Sequence, residues 1–296
     1  TEIYTLSLHD ALPICVMNLI NGQPAEQGQA FLQSPYVDKI SFTGSQRVGQ
    51  ILMRGAADRI KKLSLELGGS APVLIFDDAD VESAAQQAVA AKFRNSGQVC
   101  ISPTRFYVQR AVYEDFLAAA KGYTEKLVVG DPLDAQVTNG PLVTAAGLEK
   151  VQTFVKDAVD KHATVITGGQ RPDGLASGYF YQPTILTDVT PLMRISCDEV
   201  FGPVMAVKPF ETLDEALALA NDTPYGLAGY AITRDLTRAV RVYEGLKFGI
   251  VGINDLVPAT AEGPFGGVKE SGYGREGSQE GLTEYMVTKF VSIGGI

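Results

Sequence analysis

Residues 71–97, "APVLIFDDADVESAAQQAVAAKFRNSG", decide the fold class. "APVLIFDDAD" reads as a short apolar strand, and "VESAAQQAVAAKFRNSG" carries the spacing of the helix that follows it. Upstream, "VDKISFTGS" is a strand running into a glycine turn, and "QRVGQILMRGAADRI" has helical apolar spacing. "KKLSLELGG" is a strand closed by paired glycines. Downstream, "TRFYVQ", "TVITGG", "FYQPTILTDV", "VMAVKPF", "AGYAITR" and "GIVGIN" read as strands. Among them "AVYEDFLAAAKGYTEKL", "GLEKVQTFVKDAVDKHA", "TLDEALALANDTP" and "LTRAVRVYEGL" read as helices. Strands alternating with helices predict an α/β fold, a mainly parallel sheet flanked by helices on both faces.

The chain has 296 residues, 45% of them hydrophobic, which suffices for a substantial core in one large or two moderate domains. No apolar run approaches the ~18–20 residues that a membrane helix needs. A formal net charge of -9, with no basic block, argues against nucleic acid and anionic membrane surfaces as partners. The first fifteen residues, "TEIYTLSLHDALPIC", lack a basic n-region and a small-residue cleavage site, so they do not form a signal peptide. Together these features read as an acidic cytoplasmic protein.

Cys15, Cys100 and Cys197 are odd in number and far apart, which offers neither a disulfide framework nor a paired-cysteine metal knuckle. His9 and His162 are the only histidines and are not paired. Zinc chemistry and Cys/His or Ser/His/Asp hydrolysis are therefore poorly supported, and no metal is expected. His162 reads as a helix-end residue.

Three stretches could carry chemistry. In "SFTGSQRVG", Gly44 and Ser45 stand between a strand and a helix start, which suits a phosphate, although an ordinary capped turn has the same form. In "LSLELGGS", Glu66 precedes two glycines and could face a cleft, while a solvated strand-end glutamate fits equally well. Cys100, in "KFRNSGQVCIS" (residues 92–102), has polar, turn-prone neighbours that favour an accessible loop over a buried thiol. A thiol becomes a useful nucleophile where its site lowers the ordinary pKa of ~8.5 or excludes competing water.

The constellation is more specific than its parts. "LELGG", "GQVC", "DEVFGP" and "PFGGVKESGYGRE", with "GDPLD", "GPL", "PTIL" and "NDTPYGLA", resemble the aldehyde dehydrogenase superfamily in order and spacing, from about Val16 to the C-terminus. The resemblance implies that Cys100 attacks an aldehyde to give a thiohemiacetal, whose hydride passes to NAD or NADP. It implies that Glu66 is the base activating water against the resulting thioester, so that no histidine is needed. The Cys100 N–H would serve as one oxyanion donor. Glu199 would bind a ribose hydroxyl and Phe201 pack near the nicotinamide. Gly44, Ser45 and Val48 would meet the pyrophosphate and adenine, and the Leu67 backbone would face the nicotinamide. Gln46-Arg47 departs from the more usual Thr-Glu.

Within the superfamily the C-terminal half looks most like the NAD(P)-dependent succinate-semialdehyde dehydrogenases and related oxidisers of dicarboxylic semialdehydes. That likeness puts Arg94 on the distal carboxylate of the substrate, assisted by Thr260. Ser102 stands where some members carry a second, redox-switching cysteine. A CoA-acylating dehydrogenase would not need Glu66. Other expectations remain open: a different aldehyde, or a fragment that binds ligands without turnover.

The resemblance also implies a longer N-terminal part. It would include most of a Rossmann-like cofactor domain, an oxyanion asparagine and a ribose-gripping lysine. The expected division is 1–15 a non-native leader, resembling translated sequencing-adapter DNA, and 16–66 a remnant of the dinucleotide-binding domain. Residues 67–265 would form the catalytic domain. Residues 266–296 would be a C-terminal return with a strand for homo-oligomer formation, as a dimer or tetramer.

Overall fold

The computed structural model describes residues 17–175 and 177–295. The expected leader, with His9 and Cys15, lies outside them. In chain order the elements that matter are α1 (Pro24–Gln33), β1 (Lys39–Thr43), α2 (Gln46–Ala56), β2 (Lys62–Glu66), β3 (Ala71–Ile75), α3 (Val81–Phe93), β4 (Pro103–Gln109) and α4 (Tyr113–Thr124). Then come α5 (Ala145–Asp160), β5 (Thr164–Thr167), β6 (Thr184–Thr187), α6 (Arg194–Cys197), β7 (Val204–Phe210) and α7 (Leu213–Asn221). β8 (Ala228–Ile232), α8 (Leu236–Gly245), β9 (Ile250–Ile253), β10 (Gly272–Tyr273) and α9 (Ser278–Thr283) complete the order.

The large sheet runs β5-β6-β7-β4-β3-β8-β9, parallel throughout except for the edge pair β5-β6. Alternation along β3 divides its side chains between two cores. Val73 and Ile75 pack with Ala84, Ala88 and Phe116 of α3 and α4. Leu74 and Phe76 pack with Ala216, Ala220 and Val242 of α7 and α8. The helix starts follow side-chain chemistry: Asp80, Thr144, Thr212 and Asp235 each accept a main-chain N–H of the first turn. His162 lies just past α5 with φ 74, ending the helix in a left-handed residue, as its position suggested.

A second sheet, β1-β2-β10, is smaller. β1 and β2 are parallel, and β10 returns antiparallel to β2, placing Gly272 opposite Glu66. Leu63, Leu65 and Leu67 face Leu52 and Ala56 of α2, so Ser64 and Glu66 face the other way. Sequence periodicity did not anticipate β10, which is two residues long, or α1, which buries none of its side chains. Residues 287–295 belong to no helix or strand, and Val287 and Phe290 are exposed. No helix among the described residues is long and apolar enough to cross a membrane.

Candidate active site

The two sheets meet end to end. The C-terminal ends of β1 and β2 carry Gly44 and Glu66, and they face the N-terminal ends of β3, β4 and β7, which are preceded by Gly69, Cys100 and Glu199. The crossing from one sheet to the other is Leu67–Ser70, and its paired glycines are there for close approach. A Cβ on Gly68 would collide with the Glu199 carboxylate, and one on Gly69 would stand 2.9 Å from the carbonyl oxygen of Cys100. Gly69 N–H donates to Glu199 Oε1 at 3.1 Å. Ser271, from the "VKESG" stretch, locks the crossing: its hydroxyl donates to Gly68 O at 2.7 Å and accepts from Gly226 N–H, and its carbonyl accepts Leu67 N–H.

Cys100 follows a tightly wound loop. Asn95, Ser96 and Gly97 are consecutive left-handed residues with φ 50, 54 and 72, conformations that asparagine and glycine tolerate best. Side chains hold the loop in place. Asn95 and Gln98 exchange amide-to-carbonyl hydrogen bonds, Ser96 Oγ donates to Gly140 O at 2.8 Å, and Asn139 Nδ2 donates to Phe93 O at 2.8 Å. A Cβ on Gly97 would strike Gly202 O, so the loop also packs against the segment that carries Glu199 and Phe201.

Electrostatics separates the two reacting candidates. Glu66 is 4% exposed and its Oε1 has no hydrogen-bond partner among the described residues. Burial pushes its pKa up to about 8, the Glu276 carboxylate adds to the rise, and the Arg275 guanidinium opposes it. Burial also pushes the Cys100 thiol up to about 11, with the Glu66 charge next in weight. The Ile101 N–H pulls it down, Glu199 pushes it up, and its own N–H pulls it down. The polar neighbours of Cys100 suggested an accessible loop, but the thiol is half-buried and its pKa is raised. The physical reason is burial first, with the Glu66 and Glu199 carboxylates adding to it.

Glu199 is half-buried. Burial raises its pKa, while the Gly69 N–H, Lys150 and Lys92 hold it down. Phe201 is 41% exposed in a left-handed conformation, φ 51, two residues beyond Glu199. At the other end of the cleft, Gly44 N–H donates to Glu66 O, and Ser45 Oγ accepts Val48 N–H at 3.4 Å at the start of α2. Val48 is exposed, and the Leu67 side chain lies under Gly49. Gln46 spans the cleft floor by donating to Glu270 O at 3.1 Å.

The substrate-side candidates are less tightly assembled. Arg94 is exposed at the end of α3 and makes no ion pair among the described residues. Its charge reaches Tyr230, whose hydroxyl donates to Ile101 O, next to Cys100, at 2.8 Å. Thr260 is exposed in the loop after β9. Sequence reasoning singled out the glycine pair after Glu66 but missed Ser271, Glu276 and Lys92. Only Lys92 had a readable signal: it falls on the stripe Ala84, Ala88 and Lys92, otherwise apolar at helical spacing.

The profile of the aldehyde dehydrogenase family matches residues 3–291. The mitochondrial succinate-semialdehyde dehydrogenase of Arabidopsis thaliana is 47% identical over 290 residues, 98% of this chain and 54% of the relative. A glutarate-semialdehyde dehydrogenase of Pseudomonas aeruginosa is 45% identical over 285 residues, 96% of this chain and 59% of the relative. A crystal structure described as an E. coli NADP dependent enzyme superposes with a TM-score of 0.91 at 44% identity, over 94% of this chain and 57% of that one. The chain thus spans somewhat over half the length of each. The chain belongs to the aldehyde dehydrogenase family.

Proposed function

We propose that this chain carries the catalytic half of an enzyme that oxidises a dicarboxylic semialdehyde, succinate semialdehyde or a near homologue, to the acid with NAD or NADP. The observation that supports it most is the convergence of Cys100 and Glu66 on one buried crossing, where the Glu66 charge acts on the Cys100 thiol. The names of the relatives supply the substrate class.

Cys100 Sγ forms the bond to the aldehyde carbon, and its proton passes to Glu66. The main-chain N–H of Cys100 turns to the new oxyanion. Loss of hydride from that carbon leaves a thioester on Cys100. Glu66, freed of its proton to solvent, then takes one from water, the water oxygen attacks the acyl carbon, and the acid departs as the thiol is restored. The cofactor cleft fits its guest in two places: the α2 start offers amides beside the Gly44-Ser45 turn, and Glu199 keeps Oε2 clear of the Gly69 hydrogen bond for a ribose hydroxyl. Oxidised nicotinamide against Phe201 would supply the hydride acceptor and the positive charge that the thiol lacks. Arg94 and Thr260 receive the distal carboxylate. On the same reading, β1 and β2 belong to the cofactor-side unit, and residues 284–293, within the C-terminal return, pair with a second copy of the chain.

The test is hydride production with succinate semialdehyde and NAD+ or NADP+, in this chain and in one extended to the length of its relatives. Acid formed in step with reduced cofactor supports the reading. Reduction that requires coenzyme A, or none at either length, overturns it.

A further inference from the structure

Lys92 is a lysine with no exposed surface, and nothing in the proposed reaction uses it. It lies in the last turn of α3, eight residues before Cys100. Its Nζ is 3.3 Å from Thr104 Oγ1 and 3.4 Å from Ser102 Oγ. Ser102 Oγ in turn donates its own proton to the Lys92 carbonyl at 3.2 Å. No carboxylate forms an ion pair with it among the described residues. A neutral amine has two N–H donors, and two hydroxyl acceptors are what this pocket offers.

These bonds tie the two ends of the segment that holds the nucleophile. Between them the chain passes through Asn95 and Ser96, two left-handed residues that are not glycine. Each such conformation is costly and persists only where its surroundings over-determine it. We propose that Lys92 is a positioning residue, a buried amine that clips Ser102 and Thr104 to the end of α3 and so holds the Cys100 loop in its wound shape. The inference rests on reading Cys100 as the nucleophile for its purpose, but the clip itself is a matter of geometry. Burial lowers the lysine's pKa to about 7, with Glu199 opposing, and the amine donates to both hydroxyls in either charge state. Ser102 supplies a hydroxyl that can receive it.

The loop's shape is what places the thiol in partial burial near Glu66 of β2 and Glu199 before β7, with Tyr230 of β8 and the Arg94 charge beyond. A relaxed loop therefore lets the thiol ionise earlier. The test uses the chain as it stands, with no cofactor. The rate of iodoacetamide alkylation of Cys100 is followed by peptide mass spectrometry across the alkaline range. Lys92→Met keeps length and apolar packing while removing the donors, and Ser102→Ala removes one acceptor. Both are expected to move the profile to lower pH, by about one unit in Lys92→Met, or roughly tenfold faster labelling at a fixed mildly alkaline pH. The shift in the double variant should fall short of the sum, because the two residues share one contact. A lysine that only fills space would leave the profile of Lys92→Met on that of the parent, and that result overturns the proposal. Should Lys92→Met fail to fold, Ser102→Ala and Thr104→Val carry the same test, with the same reading of an unmoved profile. Protection of Cys100 by succinate semialdehyde in the unaltered chain tests the nucleophile reading separately, so either idea can fall without the other.

Discussion

Gly69 donates its N–H to Glu199 at 3.1 Å, and the carbonyl oxygen of Cys100 lies where a side chain of Gly69 would begin. One glycine thus sets the spacing between the segment leaving Glu66, the nucleophile loop and the carboxylate before β7. Its φ is not left-handed, so its value lies in the missing side chain and not in backbone freedom.

Gly69→Ala is therefore expected to be harmful through crowding. The added methyl would stand 2.9 Å from Cys100 O and 3.2 Å from Leu227 Cβ, with main chain on one side. Overpacking of this kind costs about 1–3 kcal/mol. Thermal unfolding of the variant should show that loss. A melting temperature equal to the parent's would mean that the loop yields freely.

Glu66→Gln should change stability in a pH-dependent way. Glu66 ionises at about 8 in the fold against an ordinary 4.5, so both states hold the proton at low pH and its burial costs nothing there. As pH rises from 4.5 to about 8, the unfolded chain loses the proton first and the fold loses stability, by roughly 1.4 kcal/mol per unit. The glutamine variant should match the parent in acid and become progressively more stable up to about pH 8, as read by denaturant unfolding. A constant difference across that range would mean that Glu66 is not held protonated. In an extended, active chain the same variant should keep a first burst of reduced cofactor and lose steady turnover.

Alkylation should distinguish the two described thiols. Cys197 is exposed, whereas Cys100 is half-buried with its thiol pushed up to about 11. Without cofactor at neutral pH, iodoacetamide is expected to label Cys197 first. Above about pH 8, where Glu66 is ionised, Glu66→Gln removes a carboxylate that raises the Cys100 value and should speed its labelling. Faster labelling of Cys100 than of Cys197 in the cofactor-free chain would contradict this electrostatic picture.

Arg94→Ala tests the substrate class. In an extended chain it should raise KM for succinate semialdehyde and spare an uncharged aldehyde of similar length. A hydrogen bond to a charged group is worth roughly 1.5–3 kcal/mol, so the selective loss should be about ten- to a hundredfold. Equal losses on both aldehydes would point to a supporting arginine and remove the carboxylate contact.

Local pattern determined most of the architecture. The strands β1 to β9 and the helices α2 to α5, α7 and α8 were legible because strands and the helices that cover them carry distinct apolar spacing. The roles proposed for Cys100 and Glu66 came from the resemblance of their motifs to a family, whereas local pattern alone left Glu66 open to a solvated strand end. What only the tertiary structure decided is the state of those groups. Burial and neighbours distant in sequence set the thiol's high pKa, Glu276 helps raise that of Glu66, and Ser271 locks a crossing whose Gly68 lies 203 residues earlier in the chain. β10 is two residues long and has no period to read, and the apolar stripe that holds Lys92 says that it turns inward but not which hydroxyls it meets. Periodicity records which face of an element is buried, whereas a pKa or a clipped loop depends on which unlike groups are brought within a few ångströms, and that is settled only when the two sheets meet.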